Sequence, residues 1–130
     1  MTPSHRAALT AIWGHLEQYL LNHGIRLVAA IDRVEELPTP AAVITLGSFT
    51  LPGEGRALAE WDLGAIALGR DAFEAAAVLD ALEAACHAWQ QRGDTGAHIR
   101  ALRYLGHEEM ELGVGVVAAR ATFRALIVRT

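Results

Sequence analysis

Hydrophobic residues recur along this chain in two rhythms, and the switches between them mark out the elements. From about Ser4 to Asn22, Leu9, Ile12, Trp13, Leu16 and Leu20 repeat at three- and four-residue spacing, the stripe of an amphipathic helix. Pro3 suits its start and Asn22-His23-Gly24 its exit, because glycine adopts the left-handed conformation that ends helices. Gly14 interrupts the stripe at a cost of about 1 kcal/mol against alanine, which predicts a closely packed neighbour. The rhythm then shortens. Arg26 to Asp32, Ala41 to Phe49 and Arg56 to Leu68 read as strands. The break Glu35 to Pro40 separates the first two, its prolines forbidding helix. Leu51-Pro52-Gly53-Glu54-Gly55 makes the last two a hairpin.

The helical rhythm returns after Asp71, which with Glu74 forms a capping-box-like start. The stripe Ala75, Val78, Leu79, Leu82, Cys86 and Trp89 follows, with Arg92-Gly93-Asp94 as its expected end. Ile99 to Leu105 is then a strand, and Gly106 to Gly113 an acidic turn. The closing run, Gly113 to Arg129, is the longest strand pattern. It places Val117, Ala119, Ala121, Phe123, Ala125 and Ile127 on one face, with Val116, Ala118, Arg120, Thr122, Arg124, Leu126 and Val128 on the other. A strand of that length needs sheet neighbours, the preceding strand as its antiparallel one, and its mixed second face is expected to meet a helix or another subunit. The predicted fold is α+β, with a mixed, mostly antiparallel sheet and two main helices in the order α-β-β-β-α-β-β. The 130 residues are expected to form a single domain spanning 1–130.

Composition narrows the function classes. Apolar residues make up 52% of the chain, which excludes disorder, and the net charge is −4. All 11 basic residues are arginine and they form no basic stripe, which argues against gripping nucleic acid by its phosphates. One cysteine, Cys86, allows no internal disulfide. The N-terminus lacks a signal-peptide pattern, and no uncharged run approaches a membrane span. A soluble intracellular protein without membrane contact is expected.

Candidate chemistry is sparse. His107-Glu108-Glu109-Met110-Glu111 begins like a zinc-protease helix, but Glu111 stands where the second histidine is required. The six histidines are dispersed, and Cys86 lies in a helical stripe as a small buried hydrophobe. Gly113-Val114-Gly115 leads into a strand, whereas phosphate-binding loops lead into a helix. Trp13, Trp61 and Trp89 read as core anchors. The sequence therefore predicts no catalytic, cofactor-binding or metal-binding residues, and no enzyme.

Taken in order, four pieces resemble the phage tail-terminator proteins, the small minor tail proteins of the gpU type. They are the N-terminal amphipathic helix and the proline-led strand Leu37-Pro38-Thr39-Pro40-Ala41-Ala42-Val43-Ile44. A glycine-bearing hairpin follows, with the strand Ala59-Glu60-Trp61-Asp62-Leu63 running into the helix at Asp71. Last come a tyrosine-containing strand, the acidic turn Glu108 to Gly113 and a terminal strand. The resemblance spans nearly the whole chain and rests on order, spacing and length. It implies a virion protein of a phage or prophage that forms a homo-hexameric ring on the end of the tail tube. Such a ring stops polymerisation of the tube and offers the head-joining surface. The implied partners are the chain itself, the major tail tube protein and a head-completion or neck protein. DNA passes through such a ring without specific binding. The implied location is the virion tail, with assembly in the bacterial cytoplasm and no cofactor.

A ring needs one patch to meet a different patch on the next subunit. The candidate interface residues are Glu54 and Arg56 at the hairpin, Arg100 and Arg103 on the penultimate strand, Glu108, Glu109 and Glu111 in the turn, and Arg120 and Arg124 on the last strand. Two other readings compete. One is a different head–tail connector or tail-completion protein. The other is a dimeric ferredoxin-like or α+β-barrel protein that binds a small molecule, for which His98, Tyr104 or His107 would converge in one cavity.

Overall fold

The structure is a computed structural model and describes residues 5–30, 39–50, 58–89, 99–112 and 115–128. The described elements are α1 (His5–Leu21), β1 (Arg26–Val28), β2 (Ala41–Thr50), β3 (Leu58–Gly69), α2 (Ala72–His87), β4 (Ile99–Met110) and β5 (Val117–Val128). This is the predicted α-β-β-β-α-β-β order. The strands form one sheet in the order β1-β2-β3-β5-β4. Among the described strands only β1 and β2 run parallel; the remaining neighbours are antiparallel.

Both helices cover the same face of that sheet. Ile12, Leu16 and Leu20 of α1 and Val78, Leu82 and Cys86 of α2 join one core cluster. From the sheet, Trp61, Leu63, Phe123 and Ile127 enter the same cluster. Alanines at 59, 65, 67, 121 and 125 fill the positions between these larger side chains, so the helices lie close on the strands. Trp61 is the predicted anchor, and its indole N–H donates to the Leu46 carbonyl at 2.7 Å. Trp13 and Trp89 are only partly buried, at the border of the core. His15 links the helices through a ring nitrogen that donates to the Ala85 carbonyl at 2.7 Å.

The start of α2 follows the sequence reading. The Asp71 carboxylate accepts from the Glu74 amide at 2.8 Å, while Glu74 accepts from the Arg70 amide at 3.0 Å. That contact, led by the Arg70 amide, lowers the Glu74 carboxyl below its ordinary value. Gly69 is required just before this cap, because a Cβ there would overlap the backbone of Ala75. Gly24 ends α1 with φ +71°, as expected.

Several expectations need correction. Helix α2 stops at His87, short of Arg92, and Trp89 leaves the helix to donate its indole N–H to the Ile99 carbonyl at 3.0 Å. Among the described residues outside its own helix turn, none lies within 4 Å of the place a Cβ on Gly14 would take, so close packing there does not account for it. The largest correction is at β4, which runs on to Met110 through the segment read as a turn. A bulge between Tyr104 and Gly106 resets the alternation there, with Gly106 at φ +138°. The broken period made one strand look like a strand and a turn. The hairpin tip, Glu54 and Arg56 included, and residues 90–98, including the expected end of α2, lie outside the described residues.

Phe123 is fully buried at the centre of the core. Phe123→Ala is expected to cost about 3–5 kcal/mol, read from urea unfolding; a loss below about 1 kcal/mol would show that the site collapses without harm. Burial, with the Glu83 charge as the smaller contribution, pushes the Cys86 thiol up to about 12. A disulfide-exchange reagent is therefore expected to label Cys86 only at the rate of global opening. Stoichiometric labelling within seconds in native buffer would contradict this burial.

Candidate assembly surface

The sheet face turned away from the helices divides into two parts. At one end, Ala41, Val43, Leu68 and Ala118 form a small apolar cluster, flanked by Ile66, Met110, Leu112 and Val116. At the other end the strands carry charge. Register decides which charges meet, since residues directly opposite on neighbouring strands share a face.

Arg124 faces Asp62 across the β3–β5 pair. Its guanidinium grips that carboxylate with two bonds, Nε to Oδ1 at 2.7 Å and Nη2 to Oδ2 at 3.1 Å. Nη1 also lies 3.7 Å from Glu60. This bidentate geometry is the one arginine provides and lysine does not. The Arg124 hydrogen bond, opposed by desolvation, holds the Asp62 carboxyl below the usual carboxylate range. Asp62 in turn raises the guanidinium. One strand position away on that face, Gly64 leaves room for the Arg120 side chain, whose Nε would sit 3.3 Å from a Cβ there. Thr45 Oγ1 lies buried beside the same glycine without a hydrogen-bond partner among the described residues.

The predicted interface residues are thus partly assembled. Arg103, Glu108, Arg120 and Arg124 share the open face, with Arg103 opposite Arg124 and Glu108 opposite Arg120. Glu109 pairs with Ala119 and points to the helix side, Arg100 occupies a bulge between Ile99 and Ala101, and Glu111 lies exposed just past β4. Asp62 and Glu60, which hold Arg124, were not among the predicted residues. Their only signal in the sequence is that they alternate in phase with Gly64 and Ile66 along one strand.

On the helix side, Tyr104 and His107 share a face and a 3.2 Å contact between the hydroxyl and Nδ1. With Asp80, Glu83 and Leu105 they line an open cleft of about 410 Å³ between α2 and β4. Burial, then the nearby Glu83, raises the Tyr104 hydroxyl above its ordinary value. His98, the third residue of the small-molecule reading, lies outside the described residues.

No protein-family model matches the chain, and the comparison with curated proteins yields no relative. Among solved structures, it is similar to a chain of the virion of a native gene transfer agent particle. The TM-score is 0.64 at 16% identity, covering 96% of this chain and 99% of that one. The likeness is one of fold. It extends over almost the full length of both chains, so no large insertion separates them.

Asp62 provides a test of the charged face. Its lowered folded-state pKa contributes stability that is complete above the unfolded value near 3.9 and lost as pH falls through the folded value. Asp62→Asn is expected to melt below the parent protein at neutral pH, with the gap closing below about pH 4. A gap that does not change with pH, followed by circular dichroism, would show that the charge of Asp62 contributes no stability.

Proposed function

We propose that this chain is a structural protein of a phage-like particle, acting as the terminator ring of its tail. In this reading six copies seat on the end of the completed tube, stop its growth and present the surface that joins the head. Its partners are the major tail tube protein and a head-completion or neck protein. The ring belongs to the virion tail, is assembled in the bacterial cytoplasm, and lets DNA pass without specific binding.

The observation that carries this reading is the likeness, along nearly the whole of both chains, to a chain of a virion particle. Two features of the molecule agree with it. The sheet presents a broad face of mixed apolar and charged character, suited to contact with protein. The described clefts, including the one beside Tyr104 and His107, are open to solvent, whereas small-molecule sites enclose most of their ligand. A net charge of −4 without a basic stripe is compatible with a lumen that does not retain DNA.

The reading is tested with tubes assembled from the major tail protein of the same genome. Adding the chain is expected to arrest elongation and place a six-fold ring on one tube end in negative-stain images. Arg120→Glu with Arg124→Glu is expected to abolish capping if that strand face closes the ring. Tubes that elongate at an unchanged rate with the parent protein present would overturn the proposal.

A further inference from the structure

Among the described residues strand β4 is the outer strand of the sheet, and it runs for 12 residues. A long free edge is a template for another strand, and proteins usually blunt it with charges or bulges. Both devices are present here, but they are arranged by sign. Arg100 and Arg103 lie in the first half of the strand, while Glu108 and Glu109 lie in the second. Leu105, 48% exposed, sits between the two halves.

The bulge makes this arrangement usable. In a regular strand Arg103 and Glu108 would point to opposite faces, because they are an odd number of residues apart. The register shift at Tyr104/Gly106 brings both onto the open face, opposite Arg124 and Arg120. Tyr104 and His107 are brought together on the helix face in the same way, as their 3.2 Å contact records.

We infer that the β4 edge is the docking surface for β4 of a second copy of this chain, joined antiparallel about a two-fold axis between Leu105 and Gly106. In that register Arg103 faces Glu108 of the second copy, and Glu108 faces its Arg103. Ala101 faces Met110, both on the open face, and Tyr104 faces His107 on the other. The two exposed Leu105 side chains meet near the axis. No like charges oppose each other along the new pair.

Charge inside one chain points the same way. Arg103 has the like-charged Arg124 as its neighbour across β5, an unfavourable pairing. Arg124 is already held by Asp62 and Glu60. Among the described residues Arg103 has no ion pair within 4.0 Å, and the free edge is the side from which a carboxylate can approach it.

A two-fold contact closes on itself and gives a pair, whereas a ring is built from unlike patches. The pair is therefore a separate property of the free protein, and it does not rest on the proposed virion role.

Light scattering across concentration on the purified protein reads it directly. A mass of twice 14.0 kDa is expected. Arg103→Glu and Glu108→Arg are each expected to weaken the dimer about tenfold or more, and the double reversal to restore it. Circular dichroism checks that each variant is folded. As a second readout, Ala101→Cys with Met110→Cys is expected to give a covalent dimer on oxidation. These two positions are too far apart along one strand to join within a chain, and native Cys86 is buried. A parent protein that is monomeric at every concentration would overturn the inference. So would a dimer or larger species indifferent to the single reversals, or a double reversal that fails to restore what both singles lost. Because no tubes are present, a dimer that never caps a tube would leave this inference standing and remove the proposed role, and the converse holds.

Discussion

The pairing of β3 with β5 is the constraint on which the rest of the molecule depends. The two strands match from Leu58 opposite Val128 to Gly69 opposite Val117 without a break, while the flanking β2–β3 and β4–β5 pairs each contain register shifts. This regular centre gives both strands one continuous buried face. Ala59, Trp61, Leu63, Ala65 and Ala67 lie beside Ala121, Phe123, Ala125 and Ile127 under the helices. A slip of one residue would turn these side chains to the open face, and neither helix would then have a surface to pack on.

Small residues on that central pair determine how the layers approach. Alanines keep the inner face low, which lets Val78, Leu82 and Cys86 of α2 reach the same cluster as Ile12 and Leu16 of α1. Gly69 lets β3 pass directly into the cap of α2. On the other face Gly64 clears a path for the Arg120 side chain. At Gly47, φ +60° and an approach to the Asp62 carbonyl that excludes any Cβ build the β2 bulge. That bulge supplies the Leu46 carbonyl to the Trp61 indole. Irregularity is thereby moved to the flanks, where it aims side chains without disturbing the centre.

The outer face shows a polar surface organised by the same register. Arg124 is held between Asp62 and Glu60, whereas Arg103, next to it across the sheet, lacks a carboxylate among the described residues. Satisfied and unsatisfied charges are therefore neighbours. That asymmetry distinguishes a surface that stabilises its own sheet from one that has contact left to make, and it falls at the sheet edge.

Much of this was legible in the chain before folding. The stripes of α1 and α2, the Asp71 cap and the two-faced alternation of β5 depend on residues a few positions apart, so local periodicity reports them. The candidate charges on the last two strands were also legible as charges. Their partners were not: Asp62 and Arg124 are separated by 62 residues, and only the pairing of β3 with β5 makes them adjacent. Likewise β4 looked shorter than it is, because a single bulge changed the phase of its second half. The sequence alone determined the two helices, the regular strands and the face that each buries, since those follow from the repeat of side chains along a helix or strand. Tertiary structure decided the order and register of the strands, and with them the neighbours of each charge, because those are settled by hydrogen bonds and packing between segments far apart in the chain.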